Sequence, residues 1–335
     1  MTNYLELFID KEKPKFLDKY QNCETLNRIK YVSQFCGSDY TKLYNPRFFF
    51  TRFDHSLIVA NMTWHFTHNK EETIIAMLHD CGTPCFAHCI DYVFDDYLNQ
   101  ESAERNIIDL IKKDDRLMHY LKEDNIDIVN LENLSKYHIL ENKSPKLCTD
   151  RLDGVLHTCY IWLHTHSLKD IKEVYNNITV LNNEDGNSEL GFKNKEMCEK
   201  FIQMIAIYTK ELQSNKSKYV MKYISEIIKL AVKKKLITLD DLYTKRESDI
   251  VNILNNNFSS WQAFNNTASL ISTDTIPNNF YISFETKKRT VIPLVQTDNG
   301  TKRITNVSEY AKDVYEELEN FHDNKYAYVK TIKNL

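Results

Sequence analysis

Histidine and aspartate side chains occur in this sequence at positions where they can share a metal ion. His79 and Asp80 end an apolar run and precede a Gly-Thr-Pro turn, which places a nitrogen and an oxygen ligand together at a helix end. His55 opens a second apolar run, and Asp150 begins the segment Asp-Arg-Leu-Asp-Gly. Two imidazoles and two carboxylates from three helices would hold one divalent cation, with positions left for water and a substrate oxygen.

Other common catalytic signatures are absent from the sequence. It contains no GxxxxGK(S/T), GxGxxG, GxSxG or HExxH motif, which excludes the sites that depend on them. Cys81, Cys85 and Cys89 recur at every fourth position, as zinc ligands on one helix face would. Pro84 lies among them and disfavours a continuous helix, so we interpret the three cysteines as packed thiols.

Helices must position the histidines and aspartates. Apolar residues at positions 57, 58 and 62 predict an amphipathic helix from His55 to Trp64, and the same pattern predicts a helix from Glu71 to Asp80. Gly82 and Pro84 end the second helix, and another helix is expected to begin near Glu101. Six glycines and six prolines in 335 residues are too few for a turn-rich β fold, so the sequence predicts a mainly α fold.

A polar segment in the middle of the chain divides the sequence into two halves. Residues 181–195 contain two of the six glycines and are predicted to form a loop. The first half, residues 1–180, is expected to form a helical core that carries the metal site. The second half, residues 196–335, is expected to form a helical extension that ends in a small appendage.

The pattern of the second half predicts both helices and strands. Residues 201–235 read as two helices with a break near Ser214 and Asn215. Residues 280–295 alternate between apolar and polar side chains, which predicts a pair of strands. A helix over residues 309–322 then completes a C-terminal α+β appendage.

Composition and charge restrict the partners and the location. The sequence has 43 Lys and Arg residues and 47 Asp and Glu residues, which gives a net charge of −4. This charge does not indicate a nucleic-acid partner, although it does not exclude one. No apolar run is long enough to span a membrane, and the first residues lack the features of a secretion signal. We therefore expect a cytoplasmic protein without a membrane partner, whose eight cysteines are reduced.

Three segments together resemble the HD-domain metal phosphohydrolases. They are RFDHSLIVA (residues 52–60), MLHDCGTPCFAH (residues 77–88) and TDRLDG (residues 149–154). The Arg-Phe before the first histidine and the Gly-x-x-x-Phe-x-His after the His-Asp pair are similar to the deoxynucleoside triphosphate triphosphohydrolase branch. The resemblance covers about residues 25–160 well.

The resemblance implies roles for individual residues, and it implies an HD-domain helical bundle with a nucleotide as substrate. The residues that match its metal ligands are His55, His79, Asp80 and Asp150. Arg52 and Arg151 match positions that grip phosphate, and His88 and Asp91 match positions that act on the reacting phosphate. The implied cofactor is one divalent ion (Mn, Fe, Co, Mg, Ni or Zn), and the implied assembly is a homo-oligomer. Attack at the α-phosphate would release nucleoside and triphosphate.

The sequence departs from the family pattern at three positions. Gln100 precedes Glu101 where the family often has a histidine that protonates the leaving group, and glutamine cannot act as an acid. Thr83 stands where His or Asn is common, and Gly154 stands where some members carry a phosphate-binding tyrosine. Two alternatives therefore stay open. One is a nucleotidase or phosphodiesterase of the HD type, and the other is a catalytically decayed regulator that binds metal and nucleotide.

Overall fold

A computed structural model describes residues 2–9, 14–96, 98, 107–286 and 288–335. The mainly α fold that the sequence predicts is confirmed. The α-helices are α1 Thr2–Phe8, α2 Glu24–Ile29, α3 Arg52–Thr67, α4 Lys70–Leu78, α5 Cys89–Val93, α6 Ile107–Lys112, α7 Asp115–Glu123, α8 Thr149–His157, α9 Leu168–Asn177, α10 Lys195–Gln213, α11 Asn215–Lys233, α12 Asp241–Thr244, α13 Glu247–Asn257, α14 Ser259–Asn265 and α15 Glu309–Glu319. None of them is long and apolar enough to cross a membrane.

Helix α3 lies at the centre of the first half, where it packs against α4 and α8. It buries nearly its whole length, since its apolar side chains and its polar ones both face neighbouring elements. The helices predicted over residues 55–64 and 71–80 are α3 and α4. The break predicted near Ser214 is also confirmed, because Ser214 ends α10 and its hydroxyl caps α11 by accepting the Ser217 N–H.

Short strands form two small sheets. The strands are β1 Ile178–Asn182, β2 Ser188–Phe192, β3 Ile271–Thr273, β4 Tyr281–Ile282, β5 Leu294–Thr297, β6 Gly300–Arg303 and β7 Tyr326–Tyr328. One sheet has the order β1-β2-β5-β6, in which β2 and β5 are parallel and the outer pairs are antiparallel. The other sheet has the antiparallel order β3-β7-β4.

Two predictions about these strands are wrong. Most of residues 181–195, predicted to be a loop, belongs to the β1–β2 hairpin, because the polar Glu189 is buried in β2 by an ion pair with Arg303 of β6. The strands predicted within residues 280–295 do not pair with each other. β4 is only two residues long and pairs with β7, while β5 pairs with β2 and β6.

Cys81, Cys85 and Cys89 are buried free thiols; the first two lie on the irregular segment between α4 and α5, and Cys89 is the first residue of α5. Burial raises the pKa of each thiol, which keeps the three in the neutral form that packs well in a core. No cysteine belongs to the groups of described residues that can hold a metal ion. The interpretation of these cysteines as packed thiols is the one that the structure supports.

The buried Glu247 of α13 joins the second half of the chain to the turn that precedes His88. Its carboxyl group accepts the Phe86 N–H at 2.8 Å and the Tyr40 hydroxyl at 2.9 Å. Phe86 has a φ of +61°, a left-handed conformation that is unfavourable for a bulky residue without outside support. Glu247 supplies that support, so a residue far along the chain helps to orient the turn that carries His88.

Glu247→Gln is expected to flatten the pH dependence of stability. Burial, followed by the charge of Asp39, raises the pKa of Glu247 from 4.5 to about 8, so between these values the folded state keeps a proton that the unfolded state loses. The free energy of unfolding of the native protein therefore falls as the pH rises through this window. The free energy of unfolding is measured by urea denaturation at pH 5 and at pH 8. Its decrease between the two pH values should be smaller in the variant than in the native protein, by at least about 1.4 kcal/mol, which corresponds to one pKa unit.

The exposed Glu132 offers a matched control for this experiment. Glu132→Gln should keep the pH dependence of the native protein. An unchanged pH dependence in Glu247→Gln would contradict the assignment of a raised pKa to that carboxyl group.

Candidate metal centre

Three helix ends bring the predicted metal ligands together. α3 begins after Thr51, whose hydroxyl accepts the Asp54 N–H while the Asp54 carboxylate accepts the Thr51 N–H. This capping box fixes the start of the helix and places His55 in its first two turns. His79 caps the C-terminus of α4, and Asp150 lies in the first turn of α8.

The four side chains form a cluster of two imidazole rings and two carboxylates. Nε2 of His55 lies 3.0 Å from Oδ1 of Asp150 and 3.8 Å from Oδ2 of Asp80. Nε2 of His79 lies 3.6 Å from the same Asp150 oxygen and 3.9 Å from Oδ1 of Asp80. Ligand atoms of His55, His79 and Asp80 all lie within 4.8 Å of one another. The four residues that the sequence singled out therefore converge. The group of His55, His79 and Asp80, in which His55 is buried and the other two are partly buried, can hold a metal ion.

Both histidines turn Nε2 towards the centre of the cluster because Nδ1 is occupied elsewhere. Nδ1 of His55 donates to the Asp153 carboxylate at 2.6 Å, and Nδ1 of His79 donates to the carbonyl of Ala76 at 2.7 Å. Nε2 of His79 is buried and has no hydrogen-bond partner among the described residues. An unpartnered imidazole lone pair beside two carboxylates fits a divalent cation, and the hydrogen bond at Nδ1 is the arrangement that metal-binding histidines use.

Two carboxylates that stay ionised lie beside the two Nε2 atoms. Burial lowers the pKa of His55, but its hydrogen bonds to two aspartates outweigh burial and raise the pKa to about 10. Burial raises the pKa of Asp80, yet the charges of His79 and Arg52 hold it well below its usual range. Burial also raises the pKa of Asp150, but the hydrogen bond from His55 and the nearby charge of His79 hold it well below its usual range. Two ionised carboxylates at a buried centre attract a cation.

Asp153 supports the cluster from behind, a role that sequence reasoning missed. Its fully buried carboxylate accepts hydrogen bonds from His55, from the Tyr4 hydroxyl at 2.9 Å and from Nδ1 of His157 at 3.2 Å. Burial raises the pKa of Asp153, but the bonds to His157 and His55 outweigh burial and lower it to about 2. The spacing on α8 could have revealed this role, since positions 150, 153 and 157 share one helix face.

The atoms of His55, Asp153 and His157 also lie close enough to hold a metal ion. All three residues are buried, and the Asp153 carboxylate is already satisfied by three donors. Burial lowers the pKa of His157, which keeps the ring neutral as a donor to Asp153. We therefore assign this group to the support of His55 and not to a second metal site.

A cavity of about 480 Å³ opens onto the cluster. Both halves of the chain line it, so the site is a product of the whole fold. Three of the predicted residues besides the metal ligands lie in its wall, namely Arg52, Arg151 and His88. The rings of Phe35 and Trp162 stack with their centroids 5.8 Å apart and form an aromatic part of the wall. Charged side chains and aromatic rings in the wall of one cavity together suit a ligand that has a charged part and a flat apolar part.

The two predicted phosphate-binding arginines occupy different environments. Arg52 donates from Nη1 to Asp80 at 2.8 Å, and its buried Nε has no hydrogen-bond partner among the described residues. Arg151 is engaged with the loop before α8, where it donates to the Glu141 carboxylate, to both oxygens of Asn142 and to the Lys146 carbonyl. Arg52 thus contacts the cluster through Asp80, while Arg151 orders the loop.

His88 and Asp91 meet as the sequence predicted. Nδ1 of His88 lies 3.0 Å from Oδ2 of the fully buried Asp91, across the start of α5. This bond leaves Nε2 of His88 as the ring nitrogen that can exchange a proton with a ligand in the cavity. Gln100 and Glu101, the first departure from the family pattern, lie outside the described residues.

Comparisons with known proteins give relatives whose functions are not established. No protein-family model matches the chain. The chain is 25% identical over 217 residues to the uncharacterized protein YdhJ of Bacillus subtilis (strain 168), a match that spans 63% of either protein. Its fold is similar to the crystal structure of a hypothetical protein from Aquifex aeolicus, with a TM-score of 0.58 and 15% identity over 94% of this chain and 92% of that one. This likeness supports the fold alone.

We expect the purified protein to bind about one divalent ion, and Asp80→Ala to abolish the binding without unfolding the chain.

Asp153→Asn should weaken the affinity for Mn²⁺ by about 10- to 100-fold, because Asp153 orients His55 without being a ligand. Metal content by mass spectrometry and titration with Mn²⁺ test both expectations. Asp298→Asn, in the exposed β5–β6 turn, is the matched control. Stoichiometric metal in Asp80→Ala would contradict the ligand assignment.

Proposed function

We propose that this protein is a metal-dependent phosphohydrolase of the HD-domain type that acts on nucleotides. The most specific form of the proposal is a deoxynucleoside triphosphate triphosphohydrolase-like enzyme, which releases nucleoside and triphosphate. The observation that carries it is the convergence of two imidazoles and two carboxylates at one wall of a cavity that is also lined by Arg52 and His88. The resemblance of the three sequence segments to that branch supports the finer assignment.

Each group of residues in the cavity has a separate role in the proposed reaction. His55, His79, Asp80 and Asp150 would hold the ion, which when bound supplies Lewis-acid chemistry by polarising a phosphoryl oxygen and making water more acidic. Arg52, held by Asp80 in the cavity wall, would place its positive charge near the negative charge that develops on the phosphate. His88 holds or moves a proton at Nε2, and Asp91 fixes the orientation of the ring through Nδ1. The aromatic wall excludes water from one end of the cavity.

Product analysis tests the proposed function. The protein with Mn²⁺, Mg²⁺, Co²⁺ or Fe²⁺ is incubated with deoxynucleoside and ribonucleoside phosphates, and the products are separated by anion-exchange chromatography. Nucleoside and triphosphate are expected from a deoxynucleoside triphosphate, and chelation should abolish their release. Phosphate release from monophosphates, or cleavage of a diester, would favour the nucleotidase or phosphodiesterase alternative. Nucleotide binding without turnover for any metal would favour the decayed regulator.

The same assay locates the proton donor. His88→Asn is expected to lower kcat by about 100-fold or more while the metal content stays unchanged, since the variant loses the proton at Nε2. His119→Asn changes an exposed histidine on α7 and serves as the matched control. Native kcat in His88→Asn would remove this residue from the mechanism.

A further inference from the structure

Two residues directly before His88 have a backbone conformation that few residue types adopt. Phe86 has a φ of +61° and Ala87 has a φ of +45°, both in the left-handed region that favours glycine. Within the turn of residues 84–87, the Ala87 N–H donates to the Pro84 carbonyl at 3.0 Å. Two such conformations in succession persist only where the surrounding structure imposes them. Contacts from outside the turn must therefore hold it.

The second half of the chain supplies such contacts. The Cys85 N–H donates to the Leu242 carbonyl of α12 at 2.8 Å. The Phe86 N–H donates at 2.8 Å to Oε2 of Glu247, the first residue of α13. The Phe86 ring also packs against the ring of Trp261 on α14, with the centroids 6.2 Å apart. The turn is thus bound to three consecutive helices, and Glu247 holds the main chain at the first left-handed residue.

The side chain of Glu247 is itself fixed in place. It is fully buried, and Oε1 accepts the Tyr40 hydroxyl at 2.9 Å while Oε2 accepts the Phe86 N–H. Burial, followed by the charge of Asp39, raises the pKa of Glu247 to about 8, so the carboxyl group is mostly neutral at pH 7. A glutamine has the same shape and can keep both bonds, because its amide oxygen accepts the Phe86 N–H and its amide nitrogen donates to the Tyr40 hydroxyl. Glu247 therefore supports the turn by hydrogen bonding and not by charge.

The position of the His88 ring depends on this turn. His88 follows Ala87 directly and caps the N-terminus of α5. Its Nδ1 lies 3.0 Å from Oδ2 of the fully buried Asp91, and its side chain lines the cavity. A shift of the turn would move the His88 backbone and, with it, the place of Nε2 in the cavity.

We propose that Glu247 is a positioning residue for His88, which fixes Nε2 for proton transfer by holding the Phe86 main chain. This inference rests on the proposed function, because His88 is the proton donor of that reaction. Loss of the bond would misplace the donor without removing it, and a misplacement of about 1 Å can lower a rate by about 100-fold. The proposed metal ligands belong to other segments, at the ends of α3, α4 and α8.

Kinetics of the full-length, Mn²⁺-loaded protein with a deoxynucleoside triphosphate test the inference. Glu247→Ala should lower kcat by about tenfold or more, while KM and metal content change by less than about threefold, because only the reacting step uses Nε2. Glu247→Gln should keep kcat within about threefold of the native value at pH 7, since both hydrogen bonds remain. Tyr40→Phe, which removes one bond to the carboxyl group, should lower kcat by a smaller factor. Tyr44→Phe is the matched control, because the Tyr44 hydroxyl also donates to a glutamate, Glu211 of α10.

A measurement on His88 itself needs no turnover and separates this inference from the proposed function. NMR of protein labelled with ¹³C-histidine gives a signal for each imidazole ring, and the His88 signal is the one lost in His88→Asn. This signal should move in Glu247→Ala and in Tyr40→Phe, and it should stay in place in Glu247→Gln. The signal of the exposed His119, identified in the same way, should stay in place in all three variants.

An unmoved His88 signal in folded Glu247→Ala would overturn the inference even in an active enzyme, and Tyr40→Phe decides in the same way if Glu247→Ala does not fold. Native kcat in Glu247→Ala would also overturn it, as would equal losses of kcat in Tyr40→Phe and Tyr44→Phe or in Glu247→Gln and Glu247→Ala. A His88 signal that depends on Glu247 in a protein without any nucleotide hydrolysis would instead support the inference and refute the proposed function.

Discussion

The carboxylate of Asp153 is fully buried where α1, α3 and α8 meet, and it accepts hydrogen bonds from Tyr4, His55 and His157. A buried charge is tolerated only with such partners, so the three helices are held in the one arrangement that satisfies it. The bond to His55 occupies its Nδ1 and fixes the orientation of the ring. Nε2 therefore points to the cavity, where it meets Asp80 and Asp150. The proposed metal chemistry depends on this single carboxylate.

Charged side chains farther from Asp153 are also paired. Arg52 neutralises part of the cluster by pairing with Asp80, and Arg151 orders the loop before α8 by pairing with Glu141. Burial and then the charge of Asp150 raise the pKa of Glu141 to about 7, against the opposing charge of Arg151, so this carboxyl group adds a partial charge near neutral pH. The second half of the chain contributes Arg289 to the wall. The cavity is thus a joint product of both halves, although the residues proposed as metal ligands all belong to the first.

Local patterns in the sequence predicted the elements that depend on neighbouring residues. They failed where an element or a contact depends on residues far apart in the chain. Helix α3 follows from apolar spacing and from the capping box at Thr51, and the His79-Asp80 pair follows from the end of α4. The β1–β2 hairpin was missed because a strand with a glutamate in its middle looks polar until Arg303 supplies the counter-charge. Tyr208 and Arg289 carry no motif, and only the folded chain brings them to the cavity. Which of these contacts would form is a matter of tertiary packing, which no local pattern encodes.

The central claim is that His55, His79, Asp80 and Asp150 bind one metal ion at the cavity wall. Anomalous diffraction from crystals of the protein grown with Mn²⁺ tests it most directly. We expect one strong peak within about 2 Å of Nε2 of both histidines and of one oxygen of each aspartate. A peak between Asp153 and His157, or no peak near the four residues at saturating Mn²⁺, would contradict it.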